Sequence, residues 1–430
     1  MSELWTQGLL PPRFAPLHGD TETDVLIIGG GMAGILCALR LQELGVRYLL
    51  VEGKRIGGGI TKGTTAVLSA QHGAIYQDLI DKKGPERARQ YLEANLQAVE
   101  RFRELSRSID CDFENASSIV YSLSNRRRME REAKAVRSLG FRARFLDEAP
   151  LPHAVAGAVE FPRMAQFHPL KFLYGIARSL NIRENTFVQK IQGHTAITNH
   201  GLIRARRIIV ATHFPFINRH GLYFMKLYQR RSFVIALENA PRLTATLEDA
   251  QTGGIYLRSW GDLLLVGGGD IRTGKKGGGF AVPRAFARKY FPEAREVCAW
   301  GNQDCISLDN VPYMGRYSLG FPHVLTATGF NEWGMTTSMV ASQLLADLAL
   351  DRPNPLKKLY APGRSMLTGQ FFANLGENLL NFVNPTPRRC PHMGCALRWN
   401  PAEHSWDCPC HGSRFSSDGA LIDNPAMKNL

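Results

Sequence analysis

Two short loops near the end of the chain, CPHMGC (390–395) and CPCHGS (408–413), hold four cysteines and two histidines. Read as ligand atoms they give C-x-H and, after fifteen intervening residues, C-x-x-H, so each loop offers one thiolate and one imidazole. Two chemistries use that set. A tetrahedral zinc ion accepts Cys2His2. A [2Fe-2S] cluster with mixed ligation takes two thiolates on one iron and two imidazoles on the other, which raises its potential above that of an all-cysteine cluster. In the second case Cys390 and Cys408 hold one iron, and His392 and His411 the other. Cys37, Cys111, Cys298 and Cys305 stand alone and read as structural.

A second constellation lies near the start. Gly29, Gly31 and Gly34 spell G-x-G-x-x-G within DVLIIGGGMAGILCALRLQELGVRYLLVEG, residues 24–53. The first glycine permits a tight turn, the second lets backbone approach a pyrophosphate, and the third lets the following helix pack closely. Phosphate would then rest on the helix N-terminus. Glu52 ends the next strand, where a carboxylate accepts from ribose hydroxyls and disfavours a 2′-phosphate. NAD and FAD share this fingerprint.

The elements that position both sites follow from pattern. Residues 24–28 read as a buried parallel strand, Asp24 followed by four apolar residues. Residues 33–44 carry Ile35, Leu36, Leu39 and Leu41 at helical positions, and Gly45 closes that helix. The spacing predicts further helices over 85–108, 128–139 and 334–350, strands over 116–123 and several short strands over 181–212. Residues 222–268 read as an antiparallel sheet through SFVIAL and DLLLVGG. Within 261–279 the glycines follow a strand with no helix pattern directly after them, so they read as a turn and mobile loop, not a second nucleotide site. RPNPLKKLYAPG reads as a surface excursion, and 371–389 as a helix followed by a linker.

Length and composition fit several domains, at 430 residues with 44% hydrophobic and 21% charged. No apolar run is long enough for a transmembrane span, and MSELWTQGLLPPRF lacks the segments of a signal peptide, so a cytoplasmic location is expected. The formal charge of +14 is scattered in short basic clusters without a nucleic-acid motif. An acidic redox partner remains compatible with it.

Together these segments resemble the D-amino-acid-oxidase-like FAD-dependent oxidoreductases, here with a C-terminal Rieske [2Fe-2S] module. GGGITKGTTAVLSAQHG (57–73) is similar to the loop lying along the flavin in that family, which decides for FAD. QFHPLKFLYGIARSLNIRENTFVQKI (166–191), VATHFPF (210–216), DNVPYMG (309–315) and TATGFNEWGMTTSM (326–339) carry the resemblance onward, with His213 standing where Ala-Thr-Gly is usual. It implies cofactor contacts from Gly29, Gly31, Met32, Ala33, Gly34, Glu52, Thr61, Thr64, Thr65, Val188, Gly329, Gly334 and Met335. In the tail, Cys395 and Cys410 occupy the positions of the disulfide of cytochrome bc-type Rieske proteins, and Ser413 that of a hydroxyl donor to the cluster. These positions, with HGSRF and the flanking Trp399 and Trp406, favour the cluster over zinc.

The expected fold is α/β: a Rossmann-like FAD-binding domain with an inserted antiparallel-sheet substrate domain, plus a small, abbreviated β Rieske module. The boundary is expected between residues 1–375 and 376–430, with the substrate sheet mostly within 110–310. Too few strand residues precede the first ligand loop for a full Rieske base, so the loops are expected to dock directly on the flavin domain. The expected activity is oxidation of a small molecule, an amine by family analogy. A flavin takes two electrons together and a Rieske cluster one at a time, so electrons would leave singly through the cluster to an external carrier. The reverse flow, and a non-catalytic redox adaptor, are the alternatives. No catalytic acid or base is evident; His72, Gln166, His168, Arg231 and Trp333 are the candidates.

Overall fold

The computed structural model describes residues 4–217 and 220–430. Among these, three sheets form. The first is built on the parallel strands Phe321–Thr328, Leu202–Val210, Thr21–Ile28, Tyr48–Val51 and Ile182–Arg183, in that order. The second half of its central strand, residues 25–28, is apolar because both faces are covered. Val25 and Ile27 enter one core and Leu26 and Ile28 the other, and each such side chain contributes about 1.5–3 kcal/mol by leaving water. The helix Met32–Glu43 leaves the glycine turn directly from Ile28, and Gly334–Ala349 packs beside it. The mixed α/β fold with a Rossmann-like layer is as expected.

The second sheet has nine strands, from Val67–Leu68 and Glu114–Ser122 to the long pair Leu227–Glu238 and Arg295–Ser307. It is antiparallel apart from the parallel pairing of Ala245–Asp249 with Glu114–Ser122. The antiparallel sheet does not start at 222: Tyr223–Lys226 is a helical turn, held by Tyr223 packing on Tyr317 and by Lys226 donating to the Pro362 carbonyl. A helix, Ala281–Tyr290, does follow the glycines of 277–279, contrary to the periodicity reading, since Phe280 and Pro283 bury its first turn. The 352–363 excursion is likewise anchored, with Leu359 and Tyr360 buried.

The tail makes a four-stranded antiparallel sheet, Arg398–Asn400, Ser405–Asp407, Arg414–Ser416 and Leu421–Asp423. The two Cys/His loops flank its first two strands. Ahead of it runs the helix Gly369–Val383, N-capped by the Thr368 hydroxyl, which accepts from the Phe371 N–H. No helix among the described residues is long and apolar enough to cross a membrane.

Candidate functional site

The glycine turn, the 52–65 loop, the concave face of the second sheet and the last strand of the tail enclose one cavity of about 1010 Å³. Its floor is the nucleotide-type turn. Gly29 sits at φ +114°, where a Cβ would meet the Ala211 carbonyl oxygen at 2.5 Å; a Cβ on Gly34 would lie 1.9 Å from the Gly29 carbonyl oxygen. Only glycine lets the helix and the strand end approach this closely. Glu52 accepts from the Gly30 N–H (2.7 Å) and the Lys54 N–H (2.8 Å), so its carboxylate is fixed at the strand end. Burial raises its pKa, and the Gly30 N–H offsets part of that rise. The Thr61 hydroxyl accepts from the Met32 N–H (3.2 Å), placing this loop over the helix N-terminus.

Of the expected FAD contacts, Gly29, Gly31, Met32, Ala33, Glu52, Thr61, Thr64, Thr65, Val188, Gly334 and Met335 line the cavity. Gly34 and Gly329 do not. Gly34 acts by close packing, as above, and Gly329, at φ +69°, turns the chain between Leu227 and Ser307. A cavity of this size and shape, with the turn at its floor, fits an extended dinucleotide.

The tail closes the same cavity. Leu421, Ile422, Asp423, Asn424, Ala426 and Met427 form part of its wall. Direct docking of the loops on the larger domain is realised through polar side chains of the second sheet that reach cluster-loop carbonyls. Gln229 Nε2 donates to the His411 and Asn424 carbonyls (2.9 Å each), and Gln303 Nε2 to the Gly412 carbonyl (2.9 Å) and Gln229 Oε1 (2.7 Å). Arg272 donates to the carbonyls of Pro409 and Cys410, both at 2.9 Å. Gly274 lies against Pro409, where a Cβ would come within 2.7 Å of the backbone nitrogen. The expected mobile loop is therefore fixed at its start by the cluster loop.

His213 sits at φ +64°, in the left-handed conformation that the usual glycine would adopt at no cost. The flanking carbonyls of Thr212 and Phe214 accept from Asn424 Nδ2, at 2.6 and 3.2 Å. This strand end thus joins the cavity wall to the tail. Burial lowers the His213 pKa to about 4.

In the tail, Cys390, Cys408, Cys395, Cys410 and His411 are all buried. The His392 and His411 ring centroids are 4.9 Å apart, and both rings meet Phe214 edge-on at 6.1–6.2 Å. Backbone turns hold each loop: Cys390 N–H donates to the Cys395 carbonyl, and Cys408 N–H to the Ser413 carbonyl. The sulfurs of Cys395, Cys408 and Cys410 lie within 4.8 Å of one another. Neither ring nitrogen of His411 has a hydrogen-bond partner, a cost that a metal bond would remove. Burial lowers the pKa of His392 to about 4 and of His411 further, so both rings are neutral, the ligating form. The donor set fits two irons with mixed ligation. This structure does not show the disulfide expected between Cys395 and Cys410, whose sulfurs lie within 4.8 Å of each other. The Ser413 hydroxyl accepts from the Ala426 N–H (3.0 Å).

The catalytic candidates separate by place. Arg231 and Trp333 line the cavity. Arg231 donates through Nε and Nη2 to the two carboxylate oxygens of Glu403 of the tail, and Trp333 stacks on His72 at 4.8 Å. His72 is buried behind it, bonded to the Tyr91 hydroxyl (2.6 Å), the Ser69 carbonyl and the Thr336 hydroxyl. Gln166 and His168 lie outside the cavity: Gln166 bridges Glu114 and the Ser259 carbonyl, and His168 caps the helix Pro169–Ala177 between Trp5 and Trp260.

Sequence reasoning missed Arg258, Glu248 and Asp270, which face the cavity from neighbouring strands. Arg258 is buried, donates through Nη1 to the Thr65 and Ala66 carbonyls, and leaves Nη2 without a partner. Burial brings its pKa down to about 9. Glu248 Oε2 and Asp270 Oδ1 are also without partners. Burial and then the Glu332 charge push Asp270 up to about 8, and burial raises Glu248 well above its usual range.

A Rossmann-like dinucleotide cavity roofed by an antiparallel sheet, and walled on one side by the last strand of a tail that carries a mixed Cys/His loop pair, defines a flavin-dependent oxidoreductase with an iron–sulfur module. Comparison with known proteins agrees. Residues 24–348 match the FAD dependent oxidoreductase family (DAO) and residues 384–430 the Rieske [2Fe-2S] domain. The chain belongs to the DAO family of FAD-dependent oxidoreductases, with a C-terminal Rieske domain, and its cofactors are FAD and a [2Fe-2S] cluster. It is 30% identical to the Rieske 2Fe-2S iron-sulfur protein YhfW of Bacillus subtilis, over 99% of this chain and 96% of that protein. Glycine oxidase from Geobacillus kaustophilus superposes with a TM-score of 0.66 at 21% identity, covering 80% of this chain and 99% of that one. L-proline dehydrogenase from P. horikoshii superposes with a TM-score of 0.67 at 16% identity, covering 80% and 98%.

Proposed function

We infer that this chain is a dehydrogenase of a small amine bearing an anionic group, with electrons leaving through the tail cluster to an external one-electron carrier. FAD supplies a two-electron acceptor and the cluster a one-electron outlet. The observation that carries the reading is the shared wall: Asn424 and Asp423 of the tail line the dinucleotide cavity, and one residue beyond the cavity-lining His213, Phe214 meets both histidine rings.

The chain's own groups support the substrate class. Glu248 pairs directly with Tyr256 across two strands, and Arg258 lies two residues along, so all three occupy one sheet face. The diagonal from Glu248 to Arg258 spans about 7–8 Å between backbones. The unpartnered Arg258 Nη2 would receive an anionic group, and the unpartnered oxygens of Glu248 and Asp270 would accept from an ammonium. Asp270, with its pKa near 8, holds a proton at neutral pH and accepts one from substrate only in its ionised fraction. Cys390, His392, Cys408 and His411 are the proposed ligands of the cluster, within a tail module that begins after residue 375. Arg231 and Glu403 hold that module in place. The alternative of electrons entering by the cluster to reduce a substrate makes the opposite forecast in one experiment. Anaerobic mixing of the loaded enzyme with a panel of amino acids and simple amines, with no added reductant, is expected to bleach the flavin absorbance. Inertness to the whole panel would count against dehydrogenation.

A further inference from the structure

The helix Gly369–Val383 is inverted. Its buried residues are Asn374 and Asn381, while Leu367 just before it and Phe372, Leu379, Leu380, Phe382 and Val383 within it are 58–77% exposed. The inward polar face has a reason. Asn374 Oδ1 accepts from Arg272 Nη1 (2.9 Å), the arginine that also holds the Pro409 and Cys410 carbonyls, and its amide donates to the Met225 carbonyl. The Asn381 backbone carbonyl accepts from the Ala396 N–H, and its side-chain amide donates to Glu377. The helix is thus fastened to the cluster loops by Asn374 through Arg272 and by the Asn381 backbone, leaving its apolar face outward. Five large side chains protruding along about 22 Å of helix, with Leu367 just before it, exceed the scattered apolar exposure of an ordinary surface.

Charge identifies the occupant. From Lys357 to Arg398 the sequence contains six basic residues and a single acid, Glu377; Arg364 is neutralised by Asp309, while Lys357, Lys358, Arg388, Arg389 and Arg398 are exposed. Glu377 is neutralised by Lys275 at 2.7 Å, while Arg388 and Arg389 are exposed just beyond the end of the helix. Arg389 is tied there, donating to the carbonyls of Phe382 and Gly394. An outward apolar helix face flanked by cations is the pattern of a helix that lies in the headgroup layer.

We propose that the Gly369–Val383 helix is a peripheral docking element that seats the protein on an anionic lipid bilayer surface. Phe372, Leu379, Leu380 and Phe382 enter the headgroup boundary, and Arg388 and Arg389 meet lipid phosphates. The exposed Met393, in the first cluster loop, adjoins Phe382 through Gly394, so docking puts that loop on the lipid side.

The test is co-sedimentation of the full chain, carrying both cofactors, with vesicles of equal parts phosphatidylglycerol and phosphatidylcholine, and with phosphatidylcholine alone. The wild type is expected to pellet with the anionic vesicles and to be released by high salt. The Leu379→Glu/Leu380→Glu and Arg388→Glu/Arg389→Glu pairs are each expected to lower the bound fraction about tenfold or more. All four positions are exposed, and unchanged visible absorbance of flavin and cluster verifies that each variant is folded. Wild type that stays in the supernatant with anionic vesicles overturns the proposal, as does binding that the variants leave intact. Light scattering provides the other decisive outcome: a dimer that Leu379→Glu/Leu380→Glu splits would assign the face to a second copy of the chain and refute lipid docking.

Discussion

The ion pair between Arg231 and Glu403 is the sharpest place to perturb the joint between the two modules. The side chains are 5% and 9% exposed, and Glu403 is the carboxylate that Nε and Nη2 of Arg231 engage. Arg414 also touches Glu403, at 3.3 Å, but keeps Asp407 and Asp423. In Glu403→Gln the cost therefore falls on Arg231, left as a buried guanidinium without its counter-charge. Removing one partner of such a pair costs about 3–5 kcal/mol, and glutamine's retained amide oxygen places this case near 3. A loss of 3 kcal/mol shifts the docking equilibrium of the tail by on the order of a hundredfold. Urea titration followed by the fluorescence of Trp399 and Trp406 is expected to show an early transition for the tail in the variant. Replacing both partners, Arg231→Met with Glu403→Leu, is expected to restore most of the loss, since neither charge is then stranded. Burial raises the Glu403 pKa, but the charge and hydrogen bond of Arg231 lower it further. The stabilisation is thus present above the ordinary carboxyl range and lost only as the pH falls through that lowered value. An unchanged transition in Glu403→Gln, within about 0.5 kcal/mol of wild type, would refute the assignment of this pair as the fastener.

Two further outcomes follow from the cavity. Gly34→Ala forces a methyl to within 1.9 Å of the Gly29 carbonyl oxygen, so the purified variant is expected to lose FAD and about 1–3 kcal/mol of stability, measured by flavin-to-protein absorbance ratio and by denaturation. Burial lowers the pKa of His72 to about 3, so between pH 3 and 6.5 the unfolded chain binds a proton there that the native state refuses. Stability therefore rises with pH across that window, and His72→Asn is expected to flatten the slope by about 1.4 kcal/mol per pH unit in denaturant titrations from pH 4 to 6.

Both cofactor sites were legible in sequence because each depends on local spacing. Two residues fix a ligand pair on a loop of the tail, and three glycines in six residues fix the turn. The joint between the sites was not. Gln229, Gln303 and Arg272 sit more than a hundred residues from the loops they hold, and a lone glutamine on a strand carries no sign that it will meet a carbonyl of a distant turn. His213 was visible as a departure, yet its purpose needed the structure: its turn offers carbonyls to Asn424. Periodicity also misled at 281–290, where a helix is set by burial of Phe280 and Pro283 and not by a long apolar stripe. Arg258, Glu248 and Asp270 converge only through strand register, which no single-strand pattern reveals.

The central claim is that the tail beside the flavin cavity holds a cluster with two cysteine and two histidine ligands. Anaerobic redox titration of the intact, cofactor-loaded chain tests it most directly. The account expects two irons per chain and a cluster midpoint within about −150 to +300 mV, with His411→Cys moving it toward the all-cysteine range near about −400 mV. A wild-type midpoint already near that lower value, or a preparation that takes up zinc and no iron, would contradict it.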